Sequence, residues 1–487
     1  MPRDGWLRGE RIPAWLISTI LHCLVVIALV LLQTKPGVPS GGTMLARFSA
    51  DRTVEAIQLE QLPSLPIDPV IAMEDDVTAR LQPTTMPPSV TSIQVESPIA
   101  SVQAATTQEP GLAVSLSATG ASEATLYQLP SRGLHARDPQ SRTELGKMYG
   151  ATPESEEAVE AALRWLAAHQ RRDGSWSFDL SQEPCNGRCG NPKESSPFPR
   201  PATAATGLAL LAFLGAGYTH HEGTYAEHVR RGLYFLREEA RPSQSGLDLQ
   251  GGSMYGHGIA MLAIGEAMGM TRYQGKTDSD LFSLATGGAA FTMNAQHVQG
   301  GWRYVPGSPG DMTVSAWQIL SLISAQHGGV VLRTSTLPKA ERFVQSLAKS
   351  GTYHFGYVSP DPEPTTTAVG LCLLMYLGQS PKYPLFASSL DQMVKAGPRK
   401  NDVYHGYYAT LALHHARHPK WASWHVPIRD HLVATQEKEG HEAGSWHFPD
   451  RHGDVGGRLY TTAMAAMILE VYYRYLPLYQ TNDEFKL

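Results

Sequence analysis

Several polar residues stand where long apolar runs begin: His257 in MYGHGIAMLAIGEAMG, Asp311 in GDMTVSAWQILSLISA, and Asp402 and His405 in DVYHGYYATLALHH. A carboxyl and an imidazole are the usual pair for moving a proton or holding a metal ion. Arg303, in GGWRY upstream of Asp311, adds a permanent cation. Each residue also has a structural reading. Asp311 can cap a helix start, His405 can be a core histidine bonded to a carbonyl or tyrosine, and His257, between two glycines, can pack against a close helix. When the apolar runs are lined up, Thr203, Tyr255, Thr313, Thr366, Tyr404 and Tyr460 share one height, so hydroxyls recur beside those charged groups.

Two of the four cysteines, Cys185 and Cys189 in PCNGRCGNP, sit among Gly, Asn and Pro in a loop-like setting. In an oxidising compartment such a pair forms a short-range disulfide, with a free pair or a metal site as alternatives. Two thiols alone do not make a zinc site, and no histidine stands at a recognisable finger spacing. Which metal, if any, the chain holds is left open, and no cofactor is expected. Cys372 belongs to an apolar helix, where burial is the default.

The elements that must position these groups come as repeats. Thr152 and Pro153, followed by the acidic PESEE, suit a helix start, and Val159, Ala162, Leu163 and Leu166 then form one apolar stripe. After a loop comes a uniformly apolar run, ATAATGLALLAFLG, Ala202 to Gly215. A striped helix followed by an apolar one predicts an outer and an inner layer. The pair recurs with inner runs near MYGHGIAMLAIGEAMG, DMTVSAWQILSLISA, TTTAVGLCLLMYLG, VYHGYYATLALHH and GGRLYTTAMAAMILEVYY, which makes six hairpins in all.

Ahead of this body the 487-residue chain carries AWLISTILHCLVVIALVLLQ, a 20-residue run without formal charge. It predicts a transmembrane anchor at 14–33, with a cleaved signal peptide as the rival. Arg3, Arg8 and Arg11 precede it, so residues 1–13 are expected on the cytoplasmic side of the inner membrane and everything downstream on the exported side. Residues 34–142, rich in Pro, Ser and Thr, are expected to be a disordered linker, and 143–480 the folded body. A formal net charge of −5 gives no basic footprint, so nucleic acid is not an expected partner.

Gln170, Gly174 and Trp176 share their spacing with Gln296, Gly300 and Trp302, and Gln436, Gly444 and Trp446 form a looser third set. With these motifs the chain resembles the terpenoid cyclase and protein prenyltransferase superfamily, closest to the squalene-cyclase-like repeat proteins of bacteria. The resemblance covers about residues 150–480 and implies an all-α fold, an α/α toroid whose parallel inner helices gather their N-termini around one mouth of a central cavity. Clustered helix N-termini favour an anion there. The resemblance aligns Asp311 and His405 with two zinc ligands of protein prenyltransferases, while Thr313 stands where a cysteine ligand would be. No Asp-x-Asp-Asp motif of acid-initiated cyclases is present; Asp278-Ser279-Asp280 lacks the third acid. No Lys or Arg lies between Arg303 and Asp311, so a diphosphate grip is not evident there.

Three functions follow from this reading. The first is a membrane-tethered toroid that binds an apolar, isoprenoid or lipid-like ligand through His257, Arg303, Thr313, Asp402, Tyr404, Tyr255 and Tyr460. The second is a prenyltransferase- or cyclase-like enzyme using Asp311 and His405. The third is a structural or protein-interaction module whose interior is filled by side chains.

Overall fold

The computed structural model describes residues 137–189 and 200–474. The expected anchor and nearly all of the expected linker lie outside the described residues. Among those described, no helix is long and apolar enough to cross a membrane. The first helix, α1 (Pro139–Tyr149), begins just inside the stretch expected to be linker.

Six helical hairpins follow, each an outer helix and then an inner one. They are α2 (Pro153–Ala168) with α3 (Ala202–Gly215), α4 (Ala226–Glu239) with α5 (Met254–Tyr273), and α6 (Ser279–Asn294) with α7 (Met312–His327). Then come α8 (Thr336–Ser346) with α9 (Pro364–Tyr376), α10 (Pro384–Ala396) with α11 (Val403–His415), and α12 (Trp421–Thr435) with α13 (Gly453–Leu469), before a final turn α14 (Val471–Arg474). One short antiparallel hairpin, β1 (Arg241–Ser243) and β2 (Gly246–Asp248), interrupts the helices.

Local sequence explains the layering. In α2 the Thr152 side chain accepts the Ser155 amide, Ser155 answers to the Thr152 amide, and Pro153 fills the first turn. Only its apolar stripe is buried, whereas α3 is buried from Thr203 to Gly215. A helix with one apolar face has one neighbour layer; a helix apolar all round must be enclosed. The inner helices pack in succession, α3 on α5, α5 on α7, and so on to α13, and α13 packs back on α3. The ring therefore closes.

The Gln/Gly/Trp motif is the joint between hairpins. Gln170 Nε2 donates to the carbonyls of Gly174 and of His228 on the next outer helix, at 2.9 Å each. Gln296 does the same for Gly300 (2.9 Å) and Thr336 (3.0 Å), and Gln436 for Gly444 (2.9 Å) and Ala158 (2.7 Å). The last bond joins the sixth hairpin to the first. Each glycine has a positive φ and lies against the backbone of the following outer helix, where a Cβ would collide. Each tryptophan is buried and ties its indole N–H to the preceding outer helix, while its backbone N–H meets a hydroxyl of its own inner helix, Thr206, Ser315 or Thr462.

At the C-terminal ends of the inner helices the ring carries a buried ion network. Arg474 grips Glu266 of α5 with both Nη2 contacts, 3.0 and 3.1 Å, and meets Glu470 at 3.2 Å; Arg137 reaches Glu266 at 2.9 Å. All four side chains are at most 4 % exposed. Burial pushes the Glu470 carboxyl up to about 8 even against the pull of Arg474.

Candidate functional site

At the opposite, N-terminal ends of the inner helices lies a cavity of about 1410 Å³. Its inner wall is apolar and aromatic: Leu208 from α3, Tyr255 and Ile259 from α5, Trp317 from α7, Tyr404 from α11 and Tyr460 from α13. The space is not filled by side chains, so the expectation of a solid interior is not met. Charge collects where the loops enter, with Arg200, Arg399, Lys400 and Arg451 alongside Glu363, Asp402 and Asp450.

Of the six hydroxyl residues expected at one height, Tyr255, Thr313, Thr366, Tyr404 and Tyr460 line this cavity. Thr203 instead lies against Gly256 of the neighbouring helix. The physical reason is rotation: one residue round the first turn of α3 points Ala204 inward in its place.

Asp311 sits one layer behind the wall. It caps α7, its Oδ1 accepting the amides of Thr313 (2.9 Å) and Val314 (2.8 Å) and the Thr313 hydroxyl (2.9 Å). Because that hydroxyl's proton goes to Asp311, the Tyr255 O–H donates to Thr313 Oγ1 at 2.6 Å. A chain thus runs from the cavity surface to the carboxylate, Tyr255 to Thr313 to Asp311. Asp311 Oδ2 is buried without a hydrogen-bond partner, with Arg303 Nε at 3.8 Å. Burial pushes the Asp311 carboxyl up, and the three donors and Arg303 pull against it. Arg303 itself is part-exposed, its guanidinium lying over the Tyr304 ring, and does not line the cavity.

His405 and His257 turn away from the ligand space. The His405 ring packs on Trp424 of outer helix α12, and burial holds it down to about 4, a neutral imidazole. His257 accepts the Leu249 amide at Nδ1 (3.1 Å) and meets Thr292 Oγ1 at Nε2 (2.9 Å), so it is a satisfied link to α6. Neither lines the cavity. Asp402 does, but as a cap: it accepts the His405 amide (2.9 Å) and the Thr365 hydroxyl (3.1 Å), joining α9 to α11. Asp311 and His405 belong to no cluster of three or more metal-ligating groups among the described residues.

Asp450 was missed. It precedes α13, whose helical geometry is broken at Gly457 (φ 64°), so the acid sits outside the register used to line up the other inner helices. Its Oδ1 accepts the amides of His452 and Gly453, while Oδ2 is buried without a hydrogen-bond partner. Burial pushes its carboxyl up to about 6, opposed by the Gly453 amide and aided by the charge of Asp402. The four cations at the mouth were missed too, because they come from three separate loops rather than from the stretch between Arg303 and Asp311.

No protein-family model matches this chain, and no curated protein matches it. Among solved structures it is similar to the type II terpene cyclase MstE from Scytonema in its apo form, at 14% identity and a TM-score of 0.41 over 66% of this chain and 98% of that one. A point variant of MstE in complex with its substrate geranylgeranyl dihydroxybenzoate gives 13% identity and a TM-score of 0.43 over 66% and 97%. A protein from Actinoplanes gives 12% identity and a TM-score of 0.26 over 66% and 99%.

Proposed function

We propose that the chain binds an apolar, isoprenoid or other lipid-like molecule in the central cavity, with the molecule's polar end among the charged groups of the mouth. The observation that carries this is the cavity itself: about 1410 Å³, walled by apolar and aromatic side chains of the inner helices, with its charged lining drawn from the loops that precede them. Ordinary small-molecule pockets are about 300–1,000 Å³, so the volume suits a long chain. Arg200, Arg399, Lys400 and Arg451 suit an anionic or strongly polar head. The isoprenoid class rests on the resemblance carried by the Gln/Gly/Trp repeats. In this reading residues 14–33 tether the ring to the inner membrane on its exported side, close to a supply of such molecules.

Native mass spectrometry of the full chain, released from detergent in the gas phase, tests the binding. The expected spectrum shows a co-purifying adduct of lipid mass that Ala204→Trp, which narrows the wall, depletes. An adduct-free chain that also fails to quench or shift an added polyene probe refutes it.

A second reading, acid-assisted chemistry on the bound molecule, is favoured by one observation: Asp450 lines the cavity with a carboxyl raised to about 6 and a free Oδ2. A carboxyl raised towards neutrality carries its proton in a minority of molecules there and can pass it to a bound group. Turnover of an isoprenoid polyene that is lost in Asp450→Asn, with lipid binding retained, supports this reading; turnover unchanged in that variant removes it.

A further inference from the structure

Cys185 and Cys189 are free thiols, not the disulfide expected from an exported location. Both are buried, and the ligand atoms of His169, Cys185, Cys189 and His441 all lie within 4.8 Å of one another. None of the four lines the cavity. We propose that these four residues bind one zinc ion that fastens the first hairpin of the ring to the last.

The donor set and its shape point to zinc. Two thiolates and two imidazoles in a tetrahedron are a closed structural zinc site, with Zn–S about 2.3 Å and Zn–N about 2.0–2.1 Å, so neighbouring ligand atoms stand roughly 3.3–3.8 Å apart. Cys189 Sγ already lies 3.4 Å from His169 Nε2. The widest pair must close by about 1 Å, within the reach of side-chain rotation.

The outer hydrogen bonds are those a metal site requires. His169 Nδ1 is 2.7 Å from the Trp165 carbonyl, to which it can only donate. That bond fixes the tautomer and leaves the Nε2 lone pair facing Cys189, as carbonyl-anchored zinc histidines do. The ring is held flat by stacking on Trp165 at 3.9 Å. The Cys189 amide donates to Cys185 Sγ at 3.3 Å, a bond that favours the thiolate. Arg188 pins the turn by donating to the Cys185 and Pro184 carbonyls, 2.9 Å each. His441 arrives on the turn Gly440–Glu442 with its Nε2 buried and without a hydrogen-bond partner. A buried imidazole nitrogen with nothing to bond, beside two thiols, is costly unless a ligand completes it.

The location gives the ion a purpose. His169 caps α2 and the cysteines lie between α2 and α3, whereas His441 precedes α13. The Gln436–Ala158 bond crosses the same seam. Zinc here would join residues far apart in sequence, and binding free energy at such a site is folding free energy.

The full chain, purified under reducing conditions without chelator, is expected to carry one zinc per molecule by plasma mass spectrometry. Replacing zinc with cobalt should give the d–d bands of tetrahedral cobalt and a thiolate-to-cobalt charge-transfer band. His441→Asn should weaken zinc binding at least about tenfold while sparing the fold, and Cys185→Ser with Cys189→Ser should abolish the charge-transfer band. Wild-type protein that binds neither metal, cobalt without the thiolate band, zinc content unchanged in the cysteine double variant, or an intact Cys185–Cys189 disulfide found by mass spectrometry in protein isolated from cells, overturns the proposal. The cobalt spectrum of the wild type decides the matter even where a variant fails to fold, and none of these outcomes depends on what the cavity binds.

Discussion

Replacing Glu266 by Ala removes the carboxylate that Arg474 holds at 3.0 and 3.1 Å and Arg137 at 2.9 Å. Both guanidiniums stay behind in a site at most 4 % exposed, Arg474 keeping Glu470 and Arg137 keeping the Leu214 carbonyl. Breaking a buried pair in this way costs about 3–5 kcal/mol, because two guanidiniums that stay buried lose a shared carboxylate. Unfolding entropy of about 2.1 cal/mol/K per residue over roughly 340 residues is about 0.7 kcal/mol/K, so the melting temperature should fall by about 4–7 °C. Differential scanning calorimetry with parallel urea titrations measures both quantities. An internal control is Arg164→Ala, whose partner Glu157 lies on the surface, the two side chains being 57 and 68 % exposed; it should cost less than about 1 kcal/mol. If Glu266→Ala costs no more than Arg164→Ala, the network is not what closes this end of the ring, and the reasoning fails.

Four other outcomes follow from the same geometry. Asp450 holds its proton more tightly folded than unfolded, so its contribution is full below the ordinary carboxylate value near 3.8 and is lost as pH rises towards about 6; thermal melts should show Asp450→Asn gaining on the wild type between those values, and a pH-independent difference would contradict this. Trp176→Ala, at a fully buried joint, should cost about 3–5 kcal/mol by urea unfolding, and Gly174→Ala should also destabilise, since its φ is positive and a Cβ would meet the Arg231 carbonyl. Thr313→Val breaks the Tyr255–Thr313–Asp311 chain and should cost about 1–3 kcal/mol; a neutral effect would mean that Tyr255 rebonds elsewhere.

The sequence by itself determined the hairpins and their layers, because both are short-range properties. The Thr152–Pro153 start, the stripe of α2 and the uniform burial of α3 follow from spacing within one helix. The joints were legible as a motif, because Gln170, Gly174 and Trp176 are close in the chain and the Gln170–Gly174 bond spans one turn, although their bonds to His228 and Thr206 reach other helices. Asp311 as a helix cap belongs to the same class.

What only the tertiary structure decided is which way side chains face and which distant loops meet. His405 and His257 share the inner helices with the cavity wall, yet a fraction of a turn rotates them towards the outer layer. Asp450 escaped notice because the break at Gly457 shifts its register. The cations of the mouth and the His169, Cys185, Cys189 and His441 cluster are assembled by closure of the ring, which brings residues 169 and 441 side by side. No spacing rule can announce a neighbour 272 positions away (441 − 169), because proximity across such a loop is set by the packing of every hairpin between them.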